Sequence, residues 1–156
     1  MKRLFPTLAR VAAVAVSALV LLVTIEMAWG DVNAIIVARR AQAMEHPSQS
    51  RHVKGMAVVK NVGGSNDCTW VGGEFRSSSL SRQDIEDFYA SSIVSSYETP
   101  NKTLELHFYG DEGPYGQIHE FMNNLDRLAT ANPKETMYLV LATDGLHHAG
   151  FDVRCF

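Results

Sequence analysis

The sequence predicts an α+β fold with a single small domain. We expect a two-layer sandwich in which the helices cover one face of a mixed sheet, preceded by one N-terminal hydrophobic helix. Three observations support this prediction: a long stretch without charges near the N-terminus, short segments with alternating apolar residues, and two segments with helical periodicity. The predicted element order is β-β-α-β-α-β-β, in which the first strand is optional. The 156 residues suit one domain and a targeting segment.

The N-terminal stretch has the composition of a membrane-targeting segment. Val11 to Ile25 carry no charge, and Lys2, Arg3 and Arg10 precede them. Basic residues concentrate on the cytoplasmic side of membrane spans, and Glu26 follows the apolar stretch. We therefore expect a single pass through the bacterial inner membrane, with the domain on the periplasmic side.

Two interpretations of this segment stay open. A transmembrane helix needs about 20 mostly apolar residues, whereas the apolar core of a signal peptide has about 7–15. Extended to Gly30, the segment is a signal-anchor with Trp29 as its interfacial aromatic residue. Ended at Ile25, it is a signal peptide, cleaved at the small residues of 28–30 or 32–34. The anchor is favoured because both cleavage sites match the pattern imperfectly.

Charge is distributed unevenly along the chain. Residues 1–66 hold eight Lys/Arg and three Asp/Glu, whereas residues 67–156 hold six and fourteen. An acidic globular part repels phosphate backbones, so we expect no nucleic-acid partner.

The predicted boundaries are 1–30 for the targeting segment, 31–52 for a juxtamembrane helix and linker, and 53–156 for the extracytoplasmic domain.

The strands are predicted from apolar alternation. They cover residues 53–62, 68–76, 103–109, 136–143 and 151–156, with turns at 63–67, 111–114 and Asp144-Gly145. Gly72-Gly73 interrupts the second strand and predicts a bulge, which would place Trp70 and Phe75 on one face. The strand at 136–143 is apolar on both faces, which is typical of a central strand.

Two helices are predicted within the domain. The first has a complete start signal, because Ser81 is a suitable N-cap and Asp84 can reach back to it. The second runs from about Tyr115 to Ala131, where Asn132-Pro133 stops it.

Two cysteines, Cys68 and Cys155, lie at opposite ends of the globular part. An even count in an exported protein predicts a disulfide. If the strands at 68–76 and 151–156 pair antiparallel, these two residues meet at one edge of the sheet.

The segment from Asp144 to Gly150 carries the most chemically active side chains. His147 and His148 could bind a metal or relay protons. Adjacent residues of an extended chain diverge, however, so a polar hairpin loop is the preferred interpretation. We expect no metal and no cofactor, and Asp144, His147 and His148 are the catalytic candidates that the sequence offers.

Three functions fit these observations. The favoured one is a membrane-anchored extracytoplasmic binding or interaction module, with a protein partner in the envelope and a ligand that the sequence does not identify. The second is a small envelope enzyme, for example a metal-dependent hydrolase, which would use the His147-His148 loop with His107 or His119. The third is a cleaved, soluble secreted protein.

Overall fold

The computed structural model describes residues 4–61, 67–93, 102–111, 119–148 and 150–155. The α+β class is confirmed. In chain order the elements are α1 (Leu4–Gln42), β1 (Ser50–Lys60), β2 (Asp67–Ser78), α2 (Arg82–Ile93), β3 (Lys102–Phe108), α3 (His119–Ala131), β4 (Thr136–His148) and a short 3-10 helix (Val153–Cys155). Most of the turns predicted at 63–67 and 111–114, and the predicted first turn of α3, lie outside the described residues.

Within the described residues, four strands form one sheet in the order β1-β2-β4-β3, and every neighbouring pair is antiparallel. The prediction of a mixed sheet is therefore wrong. A helical crossover does connect β2 to β3, and these two strands do run in the same direction. They are not neighbours, however, because β4 lies between them and is antiparallel to both.

The predicted last strand at 151–156 is also wrong. Residues 150–155, which the structure describes, form a turn and the 3-10 helix. Strand β4 is longer than predicted. It does not turn at Asp144-Gly145 but continues to His148, which pairs with Asp67. The pairing shifts between Cys68 and Trp70, where β4 advances from Asp144 to His147. A bulge absorbs the extra residue there.

The helices lie on both faces of the sheet, not on one. Alternate residues of β4 have opposite surroundings: Leu139 and Leu141 pack with Phe121 and Leu125 of α3, whereas Tyr138 packs with residues of α2 on the other face. The second half of α1 shares the face of α2. The strand at 136–143 is apolar on both faces because a helical layer covers each face of the sheet.

Gly72 and Gly73 lie in regular pairing with both neighbouring strands, so the predicted bulge between them is wrong. Each glycine allows one helix to approach the sheet. A Cβ at Gly72 would lie 2.3 Å from the backbone nitrogen of Ala38 in α1, and a Cβ at Gly73 would lie 2.7 Å from the Phe121 ring in α3. Without the bulge, the side chains of Trp70 and Phe75 contact different helices.

Helix α1 has two parts in different surroundings. Up to Trp29 its described side chains are mostly exposed, and the helix is long and apolar enough to cross a membrane, although a signal sequence has the same properties. From Gly30 onwards one side of the helix is buried, with Ala34, Val37 and Ala41 in the core at helical spacing. Residues 34–41, predicted as a juxtamembrane helix, are helical and pack against the sheet.

Helix α2 begins as the sequence predicts. The Asp84 backbone donates to Ser81 Oγ at 3.2 Å, and the Ser81 backbone donates to Asp84 Oδ2 at 3.3 Å. This reciprocal pair is a capping box. Leu80 before the cap and Ile85 after it pack into the same cluster, which fixes the entry of the helix.

Candidate functional site

The most strongly polar site in the described part of the chain surrounds Glu74. Strand alternation brings Glu74 and Arg76 onto the face of β2 that α1 and α2 cover, and both side chains are buried. The connection between α1 and β1 contributes His46, and β1 contributes His52. A carboxylate, a guanidinium and two imidazoles thus meet where apolar residues would be expected.

The contacts of this site, which we call the Glu74 cluster, extend from β2 to α2. Arg76 Nη1 donates a hydrogen bond to Glu74 Oε1, and His52 Nδ1 lies 3.0 Å from the same oxygen. His46 Nε2 is 3.4 Å from Glu74 Oε2, which is an ion-pair distance but not a well-formed hydrogen bond. On its other side, His46 Nδ1 lies 2.7 Å from the hydroxyl of Tyr89.

These contacts stabilise a buried negative charge. Burial alone would raise the pKa of Glu74, but the contacts with His46 and His52 and the charge of Arg76 outweigh it, so its pKa lies below its ordinary value. Burial raises the pKa of the Tyr89 hydroxyl, so Tyr89 stays protonated. The guanidinium of Arg76 balances the charge of the Glu74 carboxylate within the cluster.

The Glu74 cluster extends from the protein interior to the solvent. His46 lies between a carboxylate and a phenol, and His52, whose side chain is 49% exposed, connects the cluster to solvent. Ser50, whose hydroxyl contacts the cluster, donates to the Pro47 carbonyl at 2.7 Å and accepts from Arg76 at 3.1 Å. It is therefore not placed as an activated nucleophile.

The cluster also has a mechanical role, because it holds the end of α1. His46 follows α1 by four residues, and the backbone and side chain of Ser50 both accept from Arg76. The connection from α1 to β1 is thereby attached to the centre of the sheet.

A second polar cluster, around Arg154, holds α1 at the opposite end of its buried half. Arg154 Nη2 donates to the Met27 carbonyl at 2.8 Å and Nη1 donates to Asp31, so one side chain contacts two turns of α1. The same guanidinium binds both carboxylate oxygens of the buried Asp152, at 2.8 and 2.7 Å. This pairing lowers the pKa of Asp152 and raises that of Arg154.

The two predicted cysteines are joined in a disulfide, with their Cα atoms 5.3 Å apart. Its geometry differs from the expected one, because the strand next to Cys68 is β4 and Cys155 lies on the 3-10 helix. Both sulfurs are buried beside Ala34 of α1 and Val59 of β1. The bridge therefore attaches the Arg154 cluster to the sheet.

The structure places Asp144, His147 and His148 on one strand, β4. Asp144 forms an ion pair with Arg40 of α1 at 3.2 Å. His147 and His148 are strand residues opposite Cys68 and Asp67, not members of a hairpin loop.

The other two histidines of the enzyme hypothesis lie elsewhere. His107 is paired with Leu139, about 17 Å along β4 from Asp144, and its ring contacts Glu105 at 3.1 Å. His119 begins α3, which packs on the opposite face from α1. These positions do not form one site around Asp144.

Sequence reasoning missed the Glu74 cluster. A signal was present, since Glu74 and Arg76 are two charges at alternate positions in a strand that is otherwise apolar or small. Such residues are buried only when they are paired. The partners were not visible, because His46 and His52 precede Glu74 by 28 and 22 residues in segments without a clear pattern.

A cavity of about 420 Å³ lies at the far edge of the sheet, between the end of β3 and α3. Its charged lining is already engaged, because Arg82 pairs with Glu86 and Asp111, and Glu135 pairs with Arg51. It therefore offers fewer free polar groups to a ligand than the two clusters that hold α1.

Comparisons of this chain with models of known protein families, with curated proteins and with solved structures found no match.

Proposed function

We propose that the chain is a single-pass membrane protein whose extracytoplasmic domain is a binding module for a partner in the same membrane. The observation that carries this proposal is the division of α1. Its first half is apolar and exposed, whereas Ala34, Val37 and Ala41 of its second half are core residues. A helix that is apolar on all sides is stable in lipid, and in water it would expose a large apolar surface.

The contacts of Arg154 support a retained anchor over a cleaved signal peptide. Cleavage after Gly30 would remove Met27, whose carbonyl accepts from Arg154. Cleavage after Ala34 would also remove Asp31 and the buried core residue Ala34. Either cut would leave the paired side chains of the Arg154 cluster without part of their partners.

The side of the membrane is inferred from two features. Lys2, Arg3 and Arg10 precede the apolar half of α1 and favour a cytoplasmic N-terminus. A disulfide persists in oxidising compartments such as the bacterial periplasm, so Cys68 and Cys155 favour a domain outside the cytoplasm.

A surface for the partner continues along the outer side of α1. Val32 and Ile36 are exposed, and their spacing of four residues places them in one stripe. Val32 and Ile36 lie on the half of the helix that packs on the sheet, beyond the apolar stretch that lipid would cover. An apolar helix of a second membrane protein fits this stripe.

Membrane insertion is tested with two measurements on the full chain. An alkaline phosphatase fusion after Phe156 should be active, because that reporter works only outside the cytoplasm. The protein should also remain in the membrane after extraction with alkaline carbonate. An inactive fusion would reverse the proposed topology, and release by carbonate would contradict the anchor.

The binding surface is tested by placing a photo-crosslinking residue at Ile36. Thr130, exposed on α3, is the matched control. We expect a discrete crosslinked product at Ile36 that is absent at Thr130. No product at Ile36, or the same products at both positions, would contradict a binding surface on α1.

A further inference from the structure

Three large apolar side chains are exposed at the end of the domain where α1 leaves it. Trp29 is 62% exposed, Phe151 46% and Val153 56%. Trp29 belongs to α1, and the other two belong to the C-terminal segment that follows β4. Apolar side chains exposed together at one end of a domain require an explanation, unlike single exposed residues.

The contacts of the C-terminal segment show which residues of α1 lie beside it. A Cβ at Gly150 would lie 3.3 Å from the Glu26 carboxylate, and Arg154 binds the Met27 carbonyl. Phe151, the residue after Gly150, therefore lies beside α1 at about the level of Glu26. That level is about 6 Å towards the N-terminus from Gly30, at 1.5 Å per helical residue.

The same scale locates the outer boundary of the bilayer. A hydrocarbon core of about 30 Å takes about 20 helical residues, and a span counted from Val11 ends near Gly30. Phe151, at the level of Glu26, would then lie about 6 Å inside this limit, among the outermost acyl-chain carbons, and Trp29 would lie close to the limit as an aromatic anchor.

The polar groups at this level are compatible with that position. Arg154 forms ion pairs with both Asp152 and Asp31, so each of these three charged side chains has a partner. Ionic groups that are already paired lose less hydration energy near lipid than isolated charges do. The disulfide at Cys155 holds the segment in place.

We propose that the C-terminal segment is a membrane-contacting surface, in which Phe151 and Val153 insert into the outer leaflet beside Trp29. The occupant of this apolar surface is the lipid bilayer and not a second protein, because the segment is attached to the residues at which α1 enters the membrane. The domain then rests on the bilayer at a fixed orientation. This inference depends on the proposed membrane anchor.

The test uses fluorescence of the full chain in vesicles of dioleoylphosphatidylcholine, compared with vesicles of the same lipid brominated in its acyl chains. Bromine quenches only indoles that reach the acyl chains. In a Trp29→Phe background, where Trp70 gives a constant signal, tryptophan is introduced by Phe151→Trp or, independently, by Val153→Trp. Tyr109→Trp is the control, because Tyr109 is 56% exposed and follows Phe108 at the opposite end of the sheet.

We expect brominated lipid to quench Phe151→Trp and Val153→Trp by a fraction comparable to that of Trp29 in the parent, and to leave Tyr109→Trp unchanged. If Trp29 is quenched and both C-terminal tryptophans are not, the anchor stands and the contacting surface is wrong. Blue-shifted but unquenched emission at Phe151→Trp would also overturn it, because protein and not lipid would then cover the residue. Absence of quenching at Trp29 would refute the anchor itself.

Discussion

Replacement of Gly72 by Ala tests whether the second half of α1 is an integral part of the domain. The new Cβ would lie 2.3 Å from the nitrogen and 2.5 Å from the Cα of Ala38. Both atoms belong to the backbone of α1, so no side-chain rotation can relieve the contact. The helix must move away from the sheet by about 1 Å to reach an ordinary contact distance, which a close-packed interior resists.

The expected cost follows from overpacking. Extra methyl groups in a well-packed core destabilise proteins by about 1–3 kcal/mol, and the rigid neighbours of Gly72 place this variant at the upper end. With a denaturant slope of about 1–3 kcal/mol/M in urea, the unfolding midpoint should fall by about 1–3 M. The assay is urea unfolding of the full chain in detergent, followed by circular dichroism.

Two other glycines provide graded controls. A Cβ at Gly73 meets the side chains of Phe121 and Leu139, which can shift, so Gly73→Ala should cost less. A Cβ at Gly55 meets the amide end of Gln42, a flexible side chain, so Gly55→Ala should stay within about 0.5 kcal/mol of the parent. Equal midpoints for Gly72→Ala and Gly55→Ala would refute the packing of α1 on β2.

The other predictions concern the cap, the Glu74 cluster and the histidines of β4. Ser81→Ala should lower the free energy of unfolding by about 1 kcal/mol, and an unchanged urea midpoint would mean that Ser81 does not cap α2. Glu74→Gln should cost about 3 kcal/mol at neutral pH, because it leaves Arg76 without its buried counter-charge. The pKa of Glu74 is lowered by folding, so its stabilisation is present above its unfolded pKa of 4.5 and is lost as the pH falls below it. The parent should therefore lose more stability than Glu74→Gln below about pH 4.5, and parallel pH profiles would contradict this. Finally, His147→Ala with His148→Ala should leave folding and bound metal unchanged, and loss of stoichiometric metal would support the enzyme hypothesis.

The local features of the fold were predictable because their causes are local. The capping box of Ser81 and Asp84 joins residues three positions apart, and the alternation of the central strand depends on its own residues. The turn at Asp144-Gly145 was wrong for the corresponding reason. A dipeptide that favours a turn also fits a bulge, and the pairing of β4 with β2 determined which of the two formed.

The layering and the Glu74 cluster depend on contacts between distant segments. Nothing near Phe121 in sequence specifies that α3 packs on the face opposite α1. Gly72 and Gly73 did indicate helices on both faces, because two adjacent glycines in a strand allow close approach from each side of the sheet. The same two glycines also fit a bulge, so the sequence did not decide between these interpretations. Similarly, Glu74 indicated a buried partner, and only the fold identifies His46 as one.

The central claim is that one helix serves both as membrane anchor and as part of the core of an extracytoplasmic domain. The most direct test is the intact mass of the protein isolated from its membrane and alkylated without reductant. We expect a mass that includes the residues before Gly30 and no alkyl groups, because α1 is retained and Cys68 is bonded to Cys155. A chain that begins after Gly30 or Ala34 would contradict the anchor. Two alkylated cysteines would contradict the disulfide and, with it, the placement of the domain outside the cytoplasm.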